Sequence, residues 1–276
     1  MRSLLFAPAT RPELVAKLPR SGPDAVAIDL EDAVPEAGKA QARPLARAGA
    51  AELLAGTAAI KVFVRVNGPA TEHFDQDVAE AVPPGAGIVV PKLESSEQLG
   101  RVRVALAAAG LHDAPLIAGI ETARGVHGVD ALLGPPAVAC YFGAEDFIAD
   151  IGGRRTPGSA EVAYARARVV LSARVSGVCA LDQAVLALDD EAAFLADAKR
   201  GRDLGYGGKI CIHPSQVALA HRVFTPSQAE QKRARRLIAT WEAAAEDTGA
   251  GVAVFEGAMI DEPALKAARA VLERAR

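Results

Sequence analysis

Seven short apolar runs in this chain end on charged or polar residues, and those ends concentrate its chemistry. One run closes on Asp29-Leu30-Glu31-Asp32, the next on Arg65 and Asn67, and a third on Pro91-Lys92 with Glu94 behind it. The others close on Glu121-Thr122-Ala123-Arg124-Gly125, Gly143-Ala144-Glu145-Asp146, Asp182 and His213-Pro214-Ser215. Solvation explains this poorly, because the runs themselves are apolar. Carboxylates gathered around one cavity repel each other and are costly to desolvate unless cations offset them. Arg65 and Lys92 supply two positive charges. Oxygen donors without a Cys or His cluster select a hard cation such as Mg2+. That ion takes one or two protein carboxylates and leaves its other positions to water and substrate. Glu121 and Asp146 fit such a pair; the competing reading is a helix-capping carboxylate at each loop.

The elements that must carry these residues repeat one pattern. Apolar, β-branched runs at 3–7, 25–30, 61–67, 87–91, 116–120, 138–142, 179–182 and 209–213 lack strict polar alternation, as parallel strands buried on both faces do. Helical periodicity fills 11–19, 36–54, 72–81, 95–109, 125–133, 159–176, 189–204 and 214–222. Eight alternating pairs predict a (β/α)8 barrel over 1–224, and barrel enzymes place their active groups at the C-terminal strand ends. An open doubly wound sheet is the competitor and normally has fewer units. The segment 225–276 is surplus to the barrel: a polar helix over 225–248, an extended piece at 252–255 and an amphipathic helix over 263–276. It is expected to act as a helical extension or lid, covering a barrel end or a neighbouring subunit.

Bulk properties exclude several classes. A net charge of −3 gives no basic field for nucleic acid or an anionic membrane surface. No run approaches the roughly 18 to 20 apolar residues of a membrane span, and the apolar stretch before Pro8 is too short for a signal-peptide core. Cys140, Cys179 and Cys211 are odd in number and lie in apolar segments, which predicts buried free thiols and a reducing cytoplasm. Neither CxxC nor HExxH occurs, so a zinc cluster is not expected. The glycine-rich 205–209 segment lacks the spacing of a P-loop.

The motifs DLEDAV (29–34), VRVN (64–67), PK (91–92), ETARG (121–125), GAEDF (143–147), CIHPSQ (211–216) and FEGAMIDEP (255–263) stand in this order. Together they resemble those of the citrate lyase β-chain-like lyases, relatives of malyl-CoA lyases in the HpcH/HpaI aldolase superfamily. The resemblance spans essentially the whole chain. It implies a (β/α)8 barrel and Mg2+ held by Glu121 and Asp146. It also implies that Arg65 grips the carboxylate and carbonyl region of an oxoacid, and that backbone amides at Gly143, Ala144 and Glu145 bind the carboxylate. The early PATRPELVAK stretch (8–17) resembles a segment that contacts coenzyme A, so Arg11 and Lys17 are implied to meet its phosphates. Asp261 is implied to be the acid/base, reaching the site of a neighbour in a homotrimer or hexamer.

The implied reaction is cleavage of a 3-hydroxyacyl-CoA thioester, of the citryl-CoA or malyl-CoA kind, into a 2-oxoacid (oxaloacetate, glyoxylate or pyruvate) and an acyl-CoA. Two alternatives stay open: a thioesterase or malate-synthase-like activity at the same site, and a β subunit that needs the other components of a citrate lyase complex. Individual residues also carry plainer readings. Asp29, Glu31 and Asp32 are read as support for Arg65 and Lys92. A Schiff-base role for Lys92 is made unnecessary by the metal pair. Glu145 is read as a cap turned away from the site, His213 as a structural histidine, and Arg154 and Arg155 as a solvated loop. Asp261, just before Pro263, would equally cap the last helix.

Overall fold

The computed structural model describes residues 1–56, 59–248 and 251–275. Eight strands, β1 (Ser3–Pro8), β2 (Ala25–Asp29), β3 (Lys61–Arg65), β4 (Gly87–Val90), β5 (Leu116–Ile120), β6 (Ala137–Phe142), β7 (Cys179–Asp182) and β8 (Gly208–Cys211), pair in sequence order. All pairs are parallel, and β1 closes the barrel against β8 through Leu4 opposite Ile210. The intervening helices are α1 (Pro12–Val15), α2 (Lys39–Gly56), α3 (Phe74–Ala81), α4 (Ser96–Ala108), α5 (Ala123–His127), α6 (Ala144–Asp150), α7 (Ala163–Ser176), α8 (Glu191–Leu204) and α9 (Ser215–Phe224). The fold is the (β/α)8 barrel.

Local chemistry fixes the helix ends. Ser95 accepts from the Gln98 amide to start α4, Thr122 from Gly125 to start α5, and Asp190 from Ala193 to start α8. Gly177 and Gly205 end α7 and α8 in the left-handed region, where a side chain would be strained. Inside the barrel, Leu4, Phe63, Val89, Ile117, Leu181 and Ile210 pack as one cluster.

Several sequence expectations shift. The helix expected over 11–19 is a single α turn followed by a 3-10 turn at Leu18–Ser21, because Pro19 breaks it. The one expected over 125–133 divides at Gly128 into α5 and a 3-10 turn. The short helix α6, directly after β6, was not anticipated. Cys140 and Cys211 are buried, but Cys179 is half-buried beside the Met1 carbonyl.

The chain forms two compact units, Met1–Arg222 and Val223–Arg276. In the second, α10 (Gln228–Thr248) and α11 (Glu262–Arg274) pack with a two-stranded hairpin of β9 (Ala253–Phe255) and β10 (Ala258–Ile260). Sequence reading anticipated β9 and not its partner. Phe255, Ile260, Leu237 and Ala268 form that unit's core. No described helix is long and apolar enough to cross a membrane.

Candidate active site

Strand parity decides which side chains enter the barrel mouth, because alternate residues face the same side. On β2, Ala25 and Ala27 face inward and Asp29 follows; on β3, Phe63 is followed by Arg65. On β5 the inward series runs Ile117, Gly119, Glu121, and on β6 Ala139, Tyr141, Gly143. These residues converge on a cavity of about 380 Å3 at the C-terminal end of the barrel. Its polar lining includes Asp29, Asp32, Arg65, Glu121, Glu145 and Asp146; its apolar lining includes Phe6, Pro8, Tyr141, Ala184, Ile210 and Ile212.

Arg65 is held from several directions. Its Nε and Nη2 donate to the two oxygens of Asp29, both at 2.6 Å. Its Nη1 lies 2.9 Å from Glu31 Oε2 and 3.4 Å from Asp32 Oδ2. The guanidinium carbon also stands 5.1 Å from the centroid of the Phe6 ring. The two-pronged fork of Arg65 is therefore filled by Asp29, and only the Nη1 edge is turned toward the other carboxylates. Burial works against the Arg65 charge, but neighbouring Asp29 outweighs it and holds its pKa well above the ordinary value.

Lys92 follows a different route into the site. It has left the strand with φ +51°, a left-handed conformation that costs a non-glycine residue about 1 to 2 kcal/mol. There its ammonium pairs with Glu31 Oε1 and stands 3.4 Å from Asp146 Oδ1, 3.7 Å from Asp32 Oδ1 and 3.8 Å from Glu121 Oε2. Burial opposes this charge too, and Glu31 more than compensates, so the lysine pKa is raised. Burial lifts the Glu31 carboxyl despite Arg65 and Lys92. Asp32 is also penalised by burial, but the same two cations pull it below its usual range.

Glu121 is 1% exposed, and burial together with the Glu31 charge pushes its pKa up to about 7. Its Oε2 is buried and, among the described residues, receives no well-aligned hydrogen bond; the Lys92 ammonium at 3.8 Å and the adjacent Tyr141 hydroxyl are its polar neighbours. A buried carboxylate oxygen without a close donor is costly; Lys92 at 3.8 Å offsets that cost in part, and a directly bound cation would offset it further. Glu121 and Asp146 offer only oxygen donors, and two protein carboxylates suit a hard divalent ion. The residues fit the metal that the motifs imply. Gly143 lets Glu121 stand where it does: a Cβ built there would lie 2.5 Å from Glu121 Cγ.

Not every expected residue reaches this cavity. Of the amides expected to bind a carboxylate at 143–145, that of Gly143 is already donated to Ile120 O at 3.1 Å, and Ala144 and Glu145 stand in the first turn of α6. The Glu145 side chain lines the cavity and pairs with Arg155, so neither the turned-away cap nor the purely solvated loop is found. Arg155 also reaches Glu161 and Gln183 at 3.4 Å. Asp182 points behind the sheet, because Leu181 takes the inward position; it pairs with Arg166 and, at 3.0 Å, with Lys209. Asn67 is engaged by Lys39 and Asp77. His213 is exposed and bonded to Ser215. Arg11 and Lys17 are exposed on the segment after β1, with Arg11 paired to Glu13. Asp261 caps α11 by accepting from the Ala264 amide at 3.2 Å. The sequence reading overlooked Phe6 and Tyr141, although both lie on the inward parity of their strands.

A closed parallel barrel with cations and oxygen donors gathered at its C-terminal mouth defines the class of (β/α)8 proteins with a polar site in the strand-end loops. Residues 2–214 match the family described as HpcH/HpaI aldolase/citrate lyase, and the chain belongs to that family. It is 50% identical over 275 residues to a citrate lyase subunit beta-like protein of Deinococcus radiodurans, covering 99% of this chain and 96% of that one. It is 33% identical over 276 residues to a (3S)-malyl-CoA thioesterase of Cereibacter sphaeroides, covering 99% and 94%. The crystal structure of CitE from Mycobacterium tuberculosis, in complex with magnesium, acetoacetate and coenzyme A, is similar with a TM-score of 0.84 and 32% identity. That match covers 99% of this chain and 97% of the other.

Proposed function

We propose that this protein is a Mg2+-dependent carbon–carbon lyase that cleaves a 3-hydroxyacyl-CoA thioester, of the citryl-CoA or malyl-CoA kind, into a 2-oxoacid and an acyl-CoA. The observation that carries this reading is the convergence of Glu121, Asp146, Arg65 and Lys92, with the Glu121 Oε2 atom buried and no closer to a cation than the Lys92 ammonium at 3.8 Å. The magnesium, acetoacetate and coenzyme A of the mycobacterial relative support it. Held by Glu121 and Asp146, the ion would supply Lewis acidity that lowers the pKa of the substrate hydroxyl.

The chain's own groups do the rest. Arg65, fixed by Asp29, would meet the oxoacid oxygens through Nη1, the edge that here lies against Glu31 and Asp32, and offset their charge. Lys92 keeps the surrounding carboxylates from repelling an anionic substrate. The substrate hydroxyl gives up its proton to solvent; as the carbon–carbon bond breaks, its electron pair passes to the acyl fragment as a thioester enolate, and the hydroxyl-bearing carbon becomes the carbonyl of the 2-oxoacid. Asp261 returns a proton to the enolate carbon. That aspartate is assigned to the site of an adjacent subunit in a homotrimer or hexamer, with residues 225–276 as the extension that carries it. Arg11 and Lys17 are assigned to the coenzyme A phosphates.

A panel of CoA thioesters, assayed with and without Mg2+, tests the reading. The expected result is equimolar 2-oxoacid and acyl-CoA, dependent on the metal, with Mg2+ binding lost in Glu121→Ala and Asp146→Ala variants that still fold. Turnover of the panel unaffected by chelation would overturn it. A second reading, thioester hydrolysis, is favoured by the malyl-CoA thioesterase relative. Free CoA instead of acyl-CoA among the products would select it.

A further inference from the structure

The acidic turn that follows β2 carries Asp29, Glu31 and Asp32, and its backbone is secured from two sides. Asp29 binds the turn's amides: Oδ1 accepts from Glu31 N at 2.9 Å and Oδ2 from Ala33 N at 3.2 Å. Lys39 binds its carbonyls. This lysine, 8% exposed at the start of α2, donates to Leu30 O at 3.0 Å, to Glu31 O at 3.2 Å and to Asn67 Oδ1 at 2.6 Å. All three acceptors are neutral, so a buried ammonium is spent wholly on the geometry of this turn and the end of β3. Asn67 is itself oriented, because Asp77 accepts from its backbone amide at 2.9 Å and its side-chain amide at 2.6 Å. Asp77 in turn accepts from Arg43 Nε at 2.8 Å.

We propose that Lys39 is a positioning residue: through the Leu30 and Glu31 carbonyls and Asn67 it sets where Glu31 meets Arg65 and Lys92. A buried ammonium satisfied by three acceptors is not a filler of the core, since an apolar residue of similar length would pack there without the desolvation cost.

The kinetic part of the test rests on the lyase reading. With the thioester that turns over, Lys39→Met is expected to lower kcat roughly 10- to 100-fold, as loss of an outer partner does at metal sites, with KM little changed. Mg2+ affinity, titrated by calorimetry, is expected to fall in parallel. The double variant with Glu31→Gln is expected to lose little more than Glu31→Gln alone, because both changes act through one side chain. Wild-type kcat in Lys39→Met, or losses that simply add, would overturn the inference, whatever the change in Tm. If Lys39→Met does not fold, Asn67→Ser is judged by the same criteria. Hydrogen exchange of residues 29–34 is independent of turnover. Faster exchange in Lys39→Met supports the inference and unchanged exchange overturns it. A wild-type chain that releases no 2-oxoacid would instead sink the lyase reading and leave this arm standing.

Discussion

Gly143→Ala is a one-carbon test of how the site is packed. The backbone at Gly143 has φ −94° and ψ 92°, which an alanine adopts without strain, so any penalty is steric. The added Cβ would lie 2.5 Å from Glu121 Cγ, 2.9 Å from Cδ and 3.0 Å from Cβ. Glu121 cannot simply swing into solvent, because it is 1% exposed. Overpacking of this kind costs about 1 to 3 kcal/mol. For a unit of this size that is a fall of roughly 2 to 12 °C in Tm. Because the displaced atoms belong to the carboxylate, Mg2+ affinity should also fall, by roughly 10- to 100-fold. Scanning calorimetry and Mg2+ titration of the same sample read both effects. In a Glu121→Ala background only the Glu121 Cβ contact remains, so adding Gly143→Ala should cost much less stability there. Wild-type Tm and Mg2+ affinity in Gly143→Ala, or an undiminished cost in the Glu121→Ala background, would refute the reasoning.

Arg65→Lys keeps the charge but gives up the fork on Asp29; oxoacid affinity should fall by about 1.5 to 3 kcal/mol, and calorimetric binding equal to wild type would contradict it. Asp24 receives hydrogen bonds from Arg2 N, Nε and Nη2 at 2.6, 3.0 and 2.7 Å, and these outweigh a burial penalty to lower its pKa from 3.8 to about 2. Its folded pKa is the depressed one, so this stability is present above about pH 4 and is lost as pH falls toward about 2; the amount is on the order of 2 kcal/mol. Urea midpoints of Asp24→Asn should fall less than those of wild type across that interval. Asp261→Asn should leave Mg2+ and oxoacid binding intact and slow turnover roughly 10²- to 10⁴-fold. Mixing it with Glu121→Ala should restore activity if subunits exchange and the acid acts in a neighbour's site; no recovery, with exchange shown independently, would leave Asp261 as a cap only.

The barrel was legible because each strand is a run of buried apolar residues; β5 and β7 fall at the expected bounds, Leu116–Ile120 and Cys179–Asp182. Asp29, Arg65 and Glu121 were legible because each stands on the inward parity of its strand. Asp182 failed for the same physics. Chosen for its place at a strand end, it sits one residue out of phase and serves the buried pair with Lys209. Lys92 enters through a left-handed backbone at a non-glycine residue, which no sequence rule announces. The helix α6 escaped because seven residues give too few turns for a periodic signal. Strand β10 is only three residues long and follows a turn in which Glu256 and Gly257 both have positive φ, so it too left almost no pattern. The role of Lys39 lies in backbone carbonyls, which every residue has.

The seam between β1 and β8 has a consequence for how the chain is made. Leu4 pairs with Ile210, and the Lys209 amide donates to Arg2 O at 3.0 Å. Roughly 200 residues must be synthesised between these partners, which at ribosomal speed takes on the order of 10 to 40 s. Throughout that interval one edge of β1, with the apolar Leu4 and Leu5, has no strand to pair with. Closing so long a loop costs only about 2 kcal/mol more than closing one of 20 residues, so the hazard is one of time rather than of free energy. A nascent chain stalled before Gly208 would offer that edge to any other strand nearby.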